Sequence, residues 1–106
     1  MSPCGRSRHD PFAAVIYRDA VTFEEIVALA VSRKREMPEG SGTAALLAQG
    51  PHAIGKKLVE EAAEAWMAAR YESREALAGE LAQVLYYVAC MMAAADLTLD
   101  EVYRTL

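Results

Sequence analysis

The sequence predicts an all-α fold, a small bundle of four to five helices, and three observations carry that prediction. Apolar residues recur at helical spacing in two long runs, over residues 51–71 and 73–95. Two Thr-x-x-Glu capping boxes, Thr22 to Glu25 and Thr98 to Glu101, mark helix starts. Pro and Gly punctuate the intervals, as in Pro38-Glu39-Gly40-Ser41-Gly42 and Gly50-Pro51. The chain has 106 residues, enough for one domain with a modest core. Its hydrophobic share of 54% is rich in alanine, which favours closely approaching helices over a sandwich of bulky side chains.

Residues 1–21 mix Pro, Gly, Arg and His with a short apolar patch at 12–17 and read as a flexible extension. A lid or basic arm using Arg6, Arg8 and His9 is the less favoured alternative. The helical domain is expected over residues 22–106. Its first helix follows the Thr22 box, with Phe23, Ile26, Val27, Ala30 and Val31 on one face. It ends in Ser32-Arg33-Lys34-Arg35, where cations suit the helix dipole or, for Lys34 and Arg35, meet a substrate phosphate. Thr43 is the expected cap of a short second helix through Leu46 and Leu47. The third helix starts at Pro51, with Ile54, Leu58, Ala62, Ala65, Trp66 and Ala69 as its expected core stripe. Ser73 caps the fourth, whose expected core stripe is Leu77, Leu81, Val84, Val88, Met91 and Ala95, widened by Leu85 and Met92. Thr98 opens a short last helix.

A net charge of −4 argues against a nucleic-acid surface, which needs clustered Lys and Arg. Cys4 and Cys90 lack metal-ligand spacing; Cys90 is expected to be a buried thiol in a reduced, cytoplasmic compartment. The apolar run over residues 84–95 is too short to span a bilayer, so no membrane partner is expected.

The chemistry concentrates in Lys56-Lys57-Leu58-Val59-Glu60-Glu61-Ala62-Ala63-Glu64. At about 100° per residue, Lys57, Glu61 and Glu64 lie within roughly 60° of one another on a flank of the apolar stripe. Glu60 lies further round and neighbours Glu64 at i,i+4, an unfavourable like-charge pair unless a cation offsets it. Glu80 and Gln83 sit on the margin of the next helix's stripe. The short Glu72-Ser73 connection favours antiparallel packing, which lets the two edges converge. Oxygen ligands without His or Cys suit Mg2+, which retains waters and commonly binds substrate phosphates. A ferritin-like di-iron site needs Glu-x-x-His pairs that neither helix contains. Cys90, in an apolar run with no His nearby in sequence, is a poor nucleophile candidate.

Taken together, residues 38–47, Gly55 to Glu64, Glu80 to Tyr87 and Leu97-Thr98-Leu99-Asp100-Glu101-Val102 resemble the phosphoribosyl-ATP pyrophosphohydrolase family of histidine biosynthesis. The resemblance covers about residues 22–106. The acidic motif is shared with the wider MazG-type nucleotide pyrophosphohydrolases, all-helical and magnesium-dependent. The family resemblance implies hydrolysis of phosphoribosyl-ATP to phosphoribosyl-AMP and pyrophosphate, and a bundle completed as a homodimer. The family's E-E-x-x-E element falls on Glu60, Glu61 and Glu64. Its E-x-x-D element falls on Glu80, with Gln83 in place of the acid. Glu61, Glu64 and Glu80 are then the expected Mg2+ ligands, with Gln83 as a neutral fourth group. Glu60 is expected as a further ligand or as the group orienting the attacking water. Lys57, and less directly Lys34 or Arg35, would steady the phosphates. Two alternatives stay open: a housekeeping pyrophosphohydrolase of nucleoside triphosphates, and a helical dimerisation module that has lost the chemistry.

Overall fold

The computed structural model describes residues 21–106; the expectations for the N-terminal extension, including Arg6, Arg8, His9 and Cys4, fall outside that range. Among the described residues there are five helices and no strand: α1 (Phe23–Glu36), α2 (Gly42–Gln49), α3 (Pro51–Tyr71), α4 (Arg74–Ala94) and α5 (Leu99–Tyr103). The predicted fold class holds.

Helix starts follow their local chemistry. The Thr22 hydroxyl accepts from the Glu25 amide at 3.1 Å, and the Glu25 carboxylate accepts from the Thr22 amide at 2.8 Å. Thr98 and Glu101 repeat the arrangement at 3.1 and 2.8 Å. The second helix differs from expectation: Ser41 is its cap, accepting from the Ala44 amide at 3.0 Å. Thr43 is thereby left to point inward, where its hydroxyl lies 2.6 Å from the Tyr86 hydroxyl. Gly50 turns the chain from α2 into α3 at φ 91°, a conformation that favours glycine, and Pro51 occupies the first turn where its missing N–H costs nothing.

Helices α3 and α4 have 21 residues each, roughly 30 Å, and pack along one another across the two-residue connection Glu72-Ser73. So short a link makes them an antiparallel hairpin. Helix α1 lies on α4, and α2 wedges between α1, α3 and α4. Ile26, Val27 and Ala30 of α1, Leu47, Ile54, and Tyr86, Ala89, Cys90, Met92 and Ala93 of α4 make the core. The fully buried Ala30 and Ala89 keep that approach close.

The core stripes expected for α3 and α4 need correction. Helix α3 buries Ile54, Glu61, Ala65 and Ala68, while Ala62 and Ala69 are exposed and Trp66 is 76% exposed. Helix α4 buries Gly79, Glu80, Gln83, Tyr86, Ala89, Cys90, Met92 and Ala93, while Leu81 and Leu85 are each 48% exposed and Ala95 is exposed. The reason is that α4 is apolar on nearly every side, so periodicity does not single out a buried face. By length and hydropathy α4 also resembles a membrane span. Its two buried polar groups, Glu80 and Gln83, lie on the face turned into the bundle.

Candidate functional site

The hairpin brings together the acids of its two helices. Glu64 stands 8 residues before Glu72 and Glu80 stands 7 after Ser73, so the two face each other at nearly the same height. One turn further from the connection, Glu61 and Gln83 stand 11 and 10 residues away and are level in the same sense. Carboxylate oxygens of Glu61, Glu64 and Glu80 all lie within 4.8 Å of one another. Glu61 and Glu80 are each only 9% exposed and Gln83 is 5% exposed, whereas Glu64 opens to solvent.

Such a grouping has an electrostatic cost. Two carboxylates about 5 Å apart repel by on the order of 3 kcal/mol at an effective dielectric near 20. A divalent cation shared by all three would offset that repulsion. The donor set is oxygen-only and hard, which fits magnesium in preference to zinc or iron.

Glu60 takes a different position. It is half exposed, and its carboxylate lies 3.9 Å from the Lys57 ammonium, itself about half exposed. The pair stands beside the acidic triad on α3, one residue round the helix from Glu61. Lys57 is thus held by Glu60 at the edge of the site with its head in water.

Lys34 is engaged elsewhere. Its ammonium donates to the Ala93 and Ala94 carbonyls at 3.0 and 3.3 Å and to Asp96 at 2.8 Å. These are carbonyls that the end of α4 leaves without intrahelical partners. Thirteen residues separate Ala93 from Glu80, roughly 20 Å along the helix, so one chain does not bring Lys34 to its own acidic triad. The basic end of α1 therefore complements the dipole of α4, with Asp96 in the left-handed conformation (φ 58°) completing the clasp. Arg35, beside it, is exposed.

One feature near the site has no sequence signal. The Thr43–Tyr86 pair, both 3% exposed, ties the start of α2 to the buried face of α4, one turn beyond Gln83. Ser41, Gly42 and Thr43 all suit a helix start, so sequence does not say which hydroxyl caps and which turns inward.

Residues 22–106 match the family model for phosphoribosyl-ATP pyrophosphohydrolase, which spans the whole helical bundle from the Thr22 cap to the C-terminal residue of the chain.

Proposed function

We propose that this chain, which belongs to the phosphoribosyl-ATP pyrophosphohydrolase family and is a phosphoribosyl-ATP diphosphatase by that membership, works as a magnesium-dependent cytoplasmic homodimer. Its reaction is hydrolysis of phosphoribosyl-ATP to phosphoribosyl-AMP and pyrophosphate, in histidine biosynthesis. The observation that carries the metal dependence is the convergence of Glu61, Glu64 and Glu80 from two helices. Residues 22–106 act as the catalytic domain.

In this reading Glu61, Glu64 and Glu80 hold the magnesium, and Gln83 offers a neutral carboxamide from the same buried face. Magnesium, when bound, offsets triphosphate charge and lowers the pKa of its own water. Glu60 lies outside the triad and faces solvent, which suits it to orient the attacking water and accept its proton at a carboxylate oxygen. Lys57 is close enough to Glu60 to restrain it and free enough to swing onto a phosphate oxygen, where a cation stabilises developing charge. Lys34 is left with its place at the end of α4.

The homodimer rests on the outer face of the hairpin. Val59 is 69%, Trp66 76%, and Leu81 and Leu85 48% exposed. Apolar residues in such number on one pair of helices mark a surface that another chain covers, and an isologous contact between two copies is the commonest arrangement.

The deciding experiment measures pyrophosphate release from phosphoribosyl-ATP with and without magnesium, with ATP and dUTP as comparison substrates. Magnesium-dependent release from phosphoribosyl-ATP alone is the expected result. Preference for ATP or dUTP would move the chain to a housekeeping role, and no release from any of the three would make it a helical module without chemistry.

A further inference from the structure

Phosphoribosyl-ATP and ATP present the same triphosphate to a cation site; they differ in a second, phosphorylated ribose carried on the adenine. Preference for one over the other is a difference of affinities, and it has to be exercised at the base, one ribose away from the reacting phosphates. The acidic triad alone does not make that distinction.

Along α3, Lys57, Glu64 and Tyr71 stand seven residues apart. Each follows the last by two turns, roughly 10 Å further along the axis and only about 20° round it. All three are exposed. The line runs from the ammonium that faces Glu60, past the solvent-open member of the triad, to an aromatic ring that is 70% exposed at the end of the helix. It lies about 200° round the helix from Val59 and Trp66, and so stays clear of the apolar outer face.

Tyr71 is not a bare ring. The Arg70 guanidinium carbon lies 5.5 Å from its centroid, a cation–π contact, and Arg70 forms no ion pair among the described residues. An arginine in the last turn suits the helix dipole, but the dipole does not call for a tyrosine beside it with its ring in water. A broad aromatic ring is a platform on which a nucleobase stacks, and a guanidinium matches phosphate oxygens in a bidentate way.

Resting on the cation-site reading above, we infer that Tyr71 and Arg70 form the base end of the substrate site: Tyr71 stacks on the adenine, and Arg70 takes the phosphate of the second ribose. The substrate then lies along α3, with its pyrophosphate end toward Lys57 and its base toward the hairpin connection. Tyr71 serves the adenine common to both nucleotides; Arg70 is the residue that favours phosphoribosyl-ATP over ATP.

Steady-state kinetics of the full chain with phosphoribosyl-ATP, and inhibition of that reaction by ATP, test the assignment. Tyr71→Ala is expected to raise KM and the ATP inhibition constant together by roughly 10-fold or more, the scale of one base–aromatic stack, with kcat within about twofold of wild type. Tyr71→Phe and Tyr71→Trp should restore both. Arg70→Gln is expected to raise KM for phosphoribosyl-ATP by about 10-fold, as for a lost charge-assisted contact, while the ATP inhibition constant stays within about twofold of wild type. Mn2+ affinity without nucleotide, and sedimentation, should match wild type in every variant. Unchanged KM in either Tyr71→Ala or Arg70→Gln would overturn the inference while leaving the cation-site reading intact. So would a KM change accompanied by a changed oligomeric state, which would make Tyr71 an assembly contact. A wild-type chain that binds no Mn2+ and releases no pyrophosphate would remove both.

Discussion

Glu60 and Glu61 are adjacent in sequence, yet the helix gives them different surroundings and so different expected roles. Glu61 is turned into the hairpin toward Glu64 and Glu80, while Glu60 stays outside with Lys57. Neutralising a triad member should weaken cation binding and turnover together. Glu64→Gln, the most exposed of the three and the least needed for packing, is expected to lower kcat/KM by roughly 100-fold or more, the scale of losing one preorganised electrostatic group. Its Mn2+ affinity should fall in the same measurement series. Glu60→Gln is expected to behave otherwise: Mn2+ affinity within about threefold of wild type, but kcat lower by roughly 100-fold, as when a general base is removed. Equal loss of cation affinity in both variants would place Glu60 among the ligands. The acidic residues were legible in the sequence because their type and spacing already restrict the chemistry. The separation of Glu60 from its neighbours was only partly so, since a rotation of 100° per residue places it further round without naming its partner.

Single contacts between helices set how α2 and α5 are held. The Thr43 and Tyr86 hydroxyls are buried and 2.6 Å apart, so removing either one deletes this bond between α2 and α4. Tyr86→Phe and Thr43→Val should each destabilise the fold by about 1–2 kcal/mol, and the double variant by clearly less than the sum. Urea unfolding of the four proteins in the cycle measures this directly; simple additivity would mean that the hydroxyls do not act on each other. Helix α5 depends on its cap in a pH-sensitive way. The Thr98 backbone amide, and after it the Thr98 hydroxyl, hold the Glu101 carboxyl below its usual range. A lowered folded value means that the stabilisation is fully present above the unfolded pKa of about 4.3 and fades as pH falls through the folded value. Cα chemical shifts of residues 99–103 should therefore stay helical from pH 7 to about pH 5 and drift toward coil below about pH 4. Glu101→Gln should lose most of that dependence. Both capping boxes were readable from sequence because their bonds span only three residues. The Thr43–Tyr86 bond spans 43, and nothing local announces it.

At the scale of the whole molecule, sequence specified the helices of residues 22–106 and the hairpin, and placed Ile54, Ala65 and Met92 correctly in the core, but misassigned other positions of its faces. Leu81, Leu85 and Trp66 are the residues that a hydrophobic stripe would bury first, and they lie outside. The inner positions of α4 instead go to Gly79, Glu80, Gln83 and Tyr86. The exchange has a physical logic: the small and polar positions let α3 and α4 approach and enclose the acids, and the bulky residues stay on the exposed side of the hairpin. A pattern read within one chain cannot distinguish a core from an interface, because both are apolar at the same period. If that outer face is where two copies meet, a charge at its most exposed large side chain should separate them. Trp66→Glu is expected to sediment as a folded monomer under conditions where the wild-type chain is a dimer, with its helicity retained because Trp66 contributes little to the monomer core. Leu85→Glu, on the neighbouring helix, should have the same effect. A Trp66→Glu chain that stays dimeric would move the interface to another surface. Folded monomers in both variants would show that the bulky residues of the hairpin serve assembly, leaving its inner face to the acids of α3 and α4.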